Sequence, residues 1–319
     1  MAEIFIAGHN GMVGTAIFKK LSEDSNNKIL VRSRKELDLQ NQLMVENFFR
    51  ANDIQEVYLA AAKVGGILSN NSYPSEFLYS NLQIQTNVIM SAFNNGVKKL
   101  LFLGSSCIYP KFAEQPIKES SILSGYLEPT NEPYAIAKIA GLKLCESLNR
   151  QYDVDYRIVM PTNLYGPGDN FNDLDSHVIP GLMRRIHEAK ENKEDEVIIW
   201  GTGNPRREFL HVDEMAEASI FIMNMKKEDL YKKIKVRNSH INVGCGDDYK
   251  ISEIAKILKN VIGYEGKFKF DKSKEDGTPR KLLDVNLINS LGWKSSKPIK
   301  EGLEETYAWF LENIHSIRK

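Results

Sequence analysis

Short runs of consecutive apolar residues alternate with longer stretches of helical periodicity through the first half of the chain. These runs lie at residues 4–8 (IFIAG), 29–31 (ILV), 56–62 (EVYLAAA), 99–104 (KLLFLG) and 156–161 (YRIVMP). Unbroken apolar runs are typical of strands that are covered on both faces, and their alternation with helices indicates a parallel sheet. The pattern therefore predicts an α/β protein with a Rossmann-like, doubly wound parallel sheet.

The pattern changes after Gly166. A polar, turn-rich stretch at 167–178 precedes an amphipathic segment at 179–190 and a charge run at 190–196, which we expect to be a solvated loop. Further predicted elements follow: strands at 197–201, 240–244 and 267–271, and helices at 251–263 and 302–314. The mixture predicts a first domain over residues 1–166, with returning segments near 207–245, and a smaller C-terminal α/β lobe that occupies most of residues 167–319.

Composition and charge narrow the class of protein. With 319 residues, of which 42% are hydrophobic and 26% charged, the chain has the make-up of a globular protein. Lys+Arg and Asp+Glu both number 42, so no overall charge attracts nucleic acid or an acidic membrane. Three cysteines without a close pair argue against a disulfide framework and against a zinc site. Apolar runs too short for a signal peptide or a membrane span favour a cytoplasmic protein.

A glycine-rich turn follows the first predicted strand. The segment GHNGMVG at 8–14 leads into an apolar-faced helix, TAIFKKL, at 15–21. Glycines at such a place let backbone N–H groups and a helix N-terminus approach a pyrophosphate, although similar turns also serve only as turns. We expect a dinucleotide to contact this turn through Gly8, Asn10, Gly11, Met12, Val13 and Gly14.

Two arginines follow the second predicted strand, where an NAD site would usually carry an acidic residue. Arg32 and Arg34 suit the 2′-phosphate of NADP(H), although both could simply be solvated. Asp38 and Leu39 follow at a spacing that could place the Asp38 carboxylate beside the adenine amino group of the cofactor. An aspartate that caps a helix in solvent would give the same sequence pattern. The sequence therefore favours NADPH/NADP⁺ as the cofactor.

A tyrosine and a lysine lie four residues apart on a helix that Asn131 and Pro133 introduce. Tyr134 and Lys138 therefore share a face of that helix. A lysine ammonium near a phenol stabilises the phenolate, which would make Tyr134 a proton shuttle near neutral pH. Ser105 lies at the carboxyl end of the fourth predicted strand, where α/β sheets collect ligands. It could hydrogen-bond the substrate oxygen that Tyr134 protonates.

The glycine turn, the serine after the fourth strand and YAIAK at 134–138 resemble the extended short-chain dehydrogenase/reductase family, which acts on nucleotide sugars. More narrowly, the chain is similar over almost its whole length to the branch that converts GDP-4-keto-6-deoxy-D-mannose to GDP-L-fucose with NADPH. The segments that carry this similarity are AAAKVGG (60–66), LGSSCIYP (103–110), EPTNEPYAIAKIAG (128–141), MPTNLYGPGDNF (160–171), SHVIPGL (176–182), WGTGNPRREFLHVD (200–213) and DGTPRKLLD (276–284).

The resemblance implies roles for particular residues. It implies Ser105, Tyr134 and Lys138 as a reductase triad, and Cys107 and His177 as the acid/base pair of two epimerisations. It also implies a homodimer, an NADP-binding first domain and a nucleotide-sugar-binding C-terminal lobe. One departure is Asn10, since some relatives carry arginine there; the 2′-phosphate would then depend on the arginines after the second strand.

Further contacts are expected around the reaction centre. Those to the cofactor are Leu103, Gly104, Ser105, Ser106, Lys138, Pro161, Thr162, Asn163, Leu164 and His177. Those to the substrate are Arg185, Trp200, Arg207 and Asp276. Guanidinium groups suit a diphosphate, although structural salt bridging is an alternative for each arginine, including Arg206. Trp200 could equally be a core residue at a strand end.

The chemistry of epimerisation fits the thiol and the imidazole. A carbonyl acidifies the protons on both neighbouring carbons, so inversion needs one group to remove a proton and another to return one to the opposite face. A thiol with a pKa of about 8.5 and an imidazole near about 6.5 can both exchange protons around neutrality. Which of Cys107 and His177 is the base at each carbon stays open. Taken alone, the cysteine could be a packing residue, as we expect for Cys145 and Cys245, and the histidine a solvated one.

Two other functions compete with this interpretation. The same fold serves nucleotide-sugar 4-epimerases and 4,6-dehydratases, and Cys107 with His177 argues against these because such relatives usually have other residues after the serine. A redox-sensing NADP-binding protein without enzymatic activity would not need a proton shuttle. The intact Ser105, Tyr134 and Lys138 therefore argue against a sensor.

Overall fold

Strands that the apolar runs predict form the centre of the computed structural model, which describes residues 3–172, 176–235, 237–273 and 276–315. The strands in chain order are β1 Glu3–Ala7, β2 Lys28–Leu30, β3 Glu56–Leu59, β4 Lys99–Leu103, β5 Asp155–Pro161, β6 Asn163–Tyr165, β7 Glu196–Trp200, β8 Arg206–His211, β9 His240–Val243, β10 Asp248–Lys250, β11 Lys267–Asp271 and β12 Arg280–Lys281. Six of them form a parallel sheet in the order β2-β1-β3-β4-β5-β9. The predicted α/β fold class is confirmed.

Helices cover this sheet and build the rest of the molecule. They are α1 Met12–Leu21, α2 Gln42–Ala51, α3 Ile67–Ser72, α4 Pro74–Asn94, α5 Glu132–Tyr152, α6 Val178–Glu191, α7 Val212–Asn224, α8 Lys227–Tyr231, α9 Ile251–Ile262, α10 Asn286–Leu291 and α11 Ile299–Asn313. None of those in the described ranges is long and apolar enough to cross a membrane.

Alternation along each strand explains why the central strands are apolar throughout. Successive side chains of a strand point to opposite faces of the sheet. In β4, Leu100 and Phe102 join the core that includes residues of α2, α4 and α5, whereas Leu101 and Leu103 join the core that includes residues of α1 and α7. Both faces are buried, so neither face of β4 needs polar side chains.

The direction of winding reverses next to β1. From β1 the chain goes first to β2 on one side and then to β3 on the other. In an open parallel sheet, this reversal leaves a crevice at the carboxyl ends of the two strands, and ligands bind there. The turn after β1, which begins at Gly8, lies at this crevice.

Strands outside the main sheet form two smaller sheets. β8 pairs with β10, β12 and β6, while β7 pairs with β11. A third core includes residues of α6, α9 and α11. The charge run at 190–196 is only partly a loop, because α6 continues to Glu191 and β7 begins at Glu196. The division into domains at residues 166 and 167 stays a prediction.

Candidate active site

A cavity of about 1040 Å³ opens at the carboxyl edge of the main sheet. Its walls come from the turn after β1, the end of β4, the start of α5, the β5–β6 connection and the segment 276–281. Pockets for one small molecule usually measure about 300–1,000 Å³, so this cavity lies at the upper end of that range.

Two glycines in the turn after β1 have no space for a side chain. Gly8 has φ +93°, and a Cβ added to it would lie 2.7 Å from Ala61 Cα. A Cβ on Gly14 would lie 2.1 Å from the Gly8 carbonyl oxygen. This packing brings the start of α1 to the cavity, where Gly11 precedes the helix without capping it through a side chain. Free N–H groups at a helix N-terminus suit a pyrophosphate, so the turn fits a dinucleotide.

Residues beyond β2 form the next part of the wall. Arg32 and Arg34 both line the cavity. The Arg32 guanidinium donates to the Val31 carbonyl oxygen at 2.7 Å and lies 5.5 Å from the centre of the Phe48 ring. Asp38 and Leu39 line the cavity as well. Asp38 is not the cap of α2, because Asn41 occupies that position. Two cations at this end of the cavity suit an additional phosphate.

Ser105, Tyr134 and Lys138 come together where β4 ends and α5 begins. Ser105 Oγ accepts a hydrogen bond from the Cys107 backbone N–H at 3.3 Å, and its side chain hydrogen-bonds with Tyr134. Lys138 Nζ lies 5.9 Å from the centre of the Tyr134 ring and donates to the Leu103 carbonyl oxygen at 2.8 Å. A substrate carbonyl bound at this part of the cavity could accept hydrogen bonds from the hydroxyls of Ser105 and Tyr134.

Burial dominates the titration of the tyrosine and the lysine. It raises the pKa of Tyr134 above its usual range, with a further rise from Cys107 and an opposing effect of the hydrogen bond to Ser105. Burial also lowers the pKa of Lys138 to about 7. Burial is the largest effect on the Tyr134 phenol, and stabilisation of its phenolate by Lys138 stays a prediction. Tyr134 is therefore a neutral phenol that can donate a proton.

Cys107 lies in a short 3₁₀ turn directly after Ser105, and two donors reach its sulfur. Asn131 Nδ2 donates to Cys107 Sγ at 3.4 Å, and Lys281 Nζ lies 3.8 Å from the same atom. The sequence reasoning missed both contacts, although each residue belongs to a quoted motif. A motif signals that a residue matters, but not which side chain it meets across the fold.

His177 stands at the start of α6 and also lines the cavity. Half of its side chain is exposed, and its Nδ1 lies 3.8 Å from Asp169 Oδ1. Pairing with Asp169 raises the pKa of His177, against the opposing effect of burial. The cavity thus holds an imidazole that readily carries a proton, together with a thiol.

Two of the predicted substrate contacts line the cavity. Arg207 donates through Nη1 to the Thr278 carbonyl oxygen at 2.6 Å. Asp276 accepts from the Thr202 N–H at 2.9 Å and from its hydroxyl at 2.6 Å. Arg206, in contrast, pairs with Asp248 at 2.7 Å. The salt-bridge alternative therefore fits Arg206, while Arg207 remains available at the cavity.

The other two predicted substrate contacts lie elsewhere. The described residues that line the cavity do not include Arg185 or Trp200. The Arg185 guanidinium lies 5.4 Å from the centre of the Trp200 ring and donates to the Ile198 carbonyl oxygen at 3.0 Å. The Trp200 side chain is 59% exposed, so it is not a core residue. Contact of this pair with a substrate stays a prediction.

All the predicted cofactor contacts line the cavity. From the β4 end and the β5–β6 connection these are Leu103, Gly104, Ser105, Ser106, Pro161, Thr162, Asn163 and Leu164. The wall also has cations that the sequence reasoning did not single out: Lys63, Lys111, Arg280 and Lys281. Cys145 is fully buried in the core and Cys245 is partly buried, and burial raises the pKa of both thiols, as expected of packing residues.

Comparisons with known proteins identify the family and the relatives of the chain. The family described as "NAD dependent epimerase/dehydratase family" matches residues 4–244. GDP-L-fucose synthase of Escherichia coli (strain K12) is 56% identical over 315 residues, which cover 99% of this chain and 98% of the relative. GDP-L-fucose synthase 1 of Arabidopsis thaliana is 54% identical over 313 residues, with 98% and 94% covered.

Known structures share the fold as well. A GDP-6-OMe-4-keto-L-xylo-heptose reductase from C. jejuni superposes with a TM-score of 0.92 at 38% identity, and 98% of each chain is covered. A GDP-L-fucose synthetase from Naegleria fowleri bound to NADP superposes with a TM-score of 0.88 at 26% identity, covering 100% of this chain and 96% of that one.

Proposed function

The chain belongs to the NAD dependent epimerase/dehydratase family, and from this we propose that it converts GDP-4-keto-6-deoxy-D-mannose to GDP-L-fucose with NADPH. The reaction epimerises carbons 3 and 5 and then reduces carbon 4 in one site. One observation carries the proposal: a single cavity holds the predicted reductase residues together with Cys107 and His177. A plain reductase would have no use for this thiol and imidazole.

The turn after β1 fits NADPH, because Gly8 and Gly14 pack too closely for side chains and leave the start of α1 open to a pyrophosphate. Arg32 and Arg34 would bind the 2′-phosphate. When bound, NADPH supplies a hydride to carbon 4. Asn10 adds no cation to this part of the site, so we assign the preference for NADPH to the two arginines.

We assign the reduction to Ser105, Tyr134 and Lys138. Tyr134 is a neutral phenol and gives its proton to the carbon 4 oxygen, to which Ser105 also donates a hydrogen bond. Lys138 lies beside the ring with a pKa of about 7, so it can replace the lost proton near neutral pH. Hydride at carbon and proton at oxygen together complete the alcohol.

We assign the two epimerisations to Cys107 and His177. One group removes the proton next to the carbonyl, and the electron pair of the broken C–H bond moves onto the carbonyl oxygen as an enolate. The other group returns a proton to the opposite face, and the same electron pair forms the new C–H bond. Ser105 and Tyr134 stabilise the enolate oxygen by hydrogen bonds before they serve the reduction.

At the substrate end, Arg207 and Asp276 are our candidates for contact with the nucleotide sugar, since both line the cavity. Arg185 and Trp200 form a stacked pair, and we propose that this pair contacts the nucleotide. We further propose that the protein is a homodimer of the cytoplasm. Free thiols at all three cysteines are consistent with a reducing compartment.

The test is an incubation of the purified protein with GDP-4-keto-6-deoxy-D-mannose and NADPH in heavy water. The proposal predicts oxidation of NADPH, formation of GDP-L-fucose and deuterium at carbons 3 and 5. Reduction without the label would remove the epimerase activity from the proposal. If neither NADPH nor NADH were oxidised, the proposed enzyme activity would be wrong.

A further inference from the structure

A buried carboxylate lies behind the imidazole that the proposed function uses. Asp169 follows the turn Gly166-Pro167-Gly168 after β6, and only 4% of its side chain is exposed. Its backbone N–H donates to the Gly166 carbonyl oxygen at 3.2 Å, and its Oδ1 accepts from the Asn170 N–H at 2.7 Å. The local backbone therefore fixes the direction in which the carboxylate points.

Within the described residues, the ion-pair contact of this carboxylate is to His177. Asp169 Oδ1 lies 3.8 Å from His177 Nδ1, and Asp169 Oδ2 is buried and has no hydrogen-bond partner within the described ranges. A buried carboxylate without a counter-charge is costly, so it favours a positive charge on the nearby ring. Since Nδ1 faces the carboxylate, Nε2 is the nitrogen left for a ligand in the cavity that His177 lines.

We propose that Asp169 is a positioning residue for His177: it orients the ring so that Nε2 faces the substrate and stabilises the imidazolium that gives up a proton. This rests on the proposed function, in which His177 and Cys107 share the epimerisations. In the step concerned, the imidazolium N–H bond breaks, its proton goes to the enolate carbon, and the enolate electron pair forms the C–H bond. The ring becomes neutral, with its remaining proton on Nδ1, toward Asp169.

The protein without substrate gives the first test, by NMR of the histidine ring nitrogens. We expect neutral His177 to be the Nδ1–H tautomer, because Nδ1 faces a hydrogen-bond acceptor. In Asp169→Asn, the midpoint of the His177 titration is expected to fall, since the charge that stabilises the imidazolium is gone. The surface variant Asp229→Asn removes the same charge from an exposed site, where the carboxylate pairs with Lys232, and should leave the His177 midpoint unchanged.

Catalysis gives the second test. With Asp169→Asn, we expect deuterium incorporation at carbons 3 and 5 to slow roughly tenfold or more. This loss is smaller than the whole contribution of a positioned acid or base, because His177 itself remains. Reduction of an already epimerised 4-ketone should keep its rate, because the triad is untouched. Asp169→Glu, which restores the charge, should recover part of the labelling rate.

The outcomes separate this inference from the proposed function. An Nε2–H tautomer in the wild-type protein, or an unchanged His177 midpoint in Asp169→Asn, would overturn the role of Asp169 even if GDP-L-fucose is made. An equal loss of labelling and reduction would also overturn it, since it would indicate a merely structural role. If the wild type makes no GDP-L-fucose, the proposed function fails, while the tautomer still tests the contact.

Discussion

At the scale of single residues, the sulfur of Cys107 is held between donors from two distant parts of the chain. Asn131 comes from the residues before α5, and Lys281 from β12. Hydrogen bonds to charged groups contribute more than those to neutral groups, so both donors would stabilise a thiolate during proton transfer. In the proposed function, the thiol distinguishes this site from that of a plain reductase.

Replacing the thiol tests its separate role. In Cys107→Ser, a hydroxyl takes the place of the thiol but does not exchange protons readily near neutral pH. We expect the deuterium label at carbons 3 and 5 to be suppressed far more than hydride transfer to an already epimerised ketone. Separate assays of the label and of NADPH oxidation measure the two effects. An equal fall in both rates would contradict a separate role for the thiol.

Asn131→Ala removes one of the donors to the sulfur. Asn131 makes no side-chain capping hydrogen bond to α5, so the helix should lose little stability. Loss of a bond to a charged acceptor is worth about 1.5–3 kcal/mol. We therefore expect labelling at carbons 3 and 5 to slow by about ten- to a hundredfold. Reduction of the epimerised ketone is the internal control, and labelling at the wild-type rate would show that the contact is not used.

Lys138 should leave a signature in the pH dependence of the reduction. Burial lowers its pKa to about 7, so it is charged below that pH and loses its proton above it. If the charged lysine restores the proton of Tyr134, the rate of reduction falls as the pH rises through about 7. An arginine stays charged at these pH values, so Lys138→Arg, where it remains active, should lack this decline. If the rate declined with the same midpoint in both proteins, the decline would come from a group other than Lys138.

At the scale of elements, predictability follows from where the partners of a residue lie. The runs in β1, β3, β4 and β5 are buried on both faces, and their apolar sequences report this directly. β8 begins with Arg206, Arg207 and Glu208, and the apolar pattern predicts no strand there. The Glu208 carboxylate is fully buried, and N–H groups of Gly246 and Leu283 satisfy it. Partners so far along the chain cannot be found from a local pattern.

The same distinction between local and distant partners decides which parts of the candidate site the sequence predicts. The glycine turn, Ser105 and the Tyr134–Lys138 pair are close in sequence to the elements that place them, so the sequence predicts them. The contact between Lys281 and Cys107 spans 174 positions and forms only when β12 pairs with β8. The effect of burial on Tyr134 and Lys138 was also missed, because it depends on how completely the folded chain encloses both side chains.

The turn after β1 offers a matched pair of glycine variants. A Cβ at Gly14 would lie 2.1 Å from the Gly8 oxygen, so Gly14→Ala must open the turn and move the start of α1. A Cβ at Gly11 would lie 3.4 Å from the Gly8 oxygen, which is an ordinary contact, and the backbone φ of Gly11 is −86°. We expect Gly14→Ala to weaken NADPH binding, measured by fluorescence titration, much more than Gly11→Ala does. Equal effects would mean that close packing of the turn does not govern cofactor binding.

At the scale of the whole molecule, buried ionisable groups connect the fold to its stability. His240 lies on β9, where the chain returns to the main sheet, and its Nε2 lies 3.0 Å from the Tyr109 hydroxyl. Its side chain is fully buried, and its Nδ1 has no hydrogen-bond partner within the described ranges. Burial lowers the pKa of His240 to about 3, with a smaller contribution from the positive charge of Lys143.

This depressed pKa predicts the direction in which acid destabilises the fold. In the unfolded chain the imidazole takes up a proton below about pH 6.5, while the folded state keeps it neutral down to about pH 3. The stability associated with neutral His240 is therefore complete above pH 6.5 and is lost as the pH falls through this window. For one such group, the free energy of unfolding falls by about 1.4 kcal/mol for each pH unit.

Urea unfolding at a series of pH values between 7 and 4 measures this slope. His240→Gln removes the titrating group, so the variant should lose less stability per pH unit than the wild type, whatever its stability at pH 7. His315→Gln makes the same change at an exposed position and should keep the wild-type slope. Only the difference between slopes is compared, because the other carboxylates and histidines contribute equally to all three proteins. Identical slopes for His240→Gln and the wild type would mean that the imidazole becomes protonated within the folded protein.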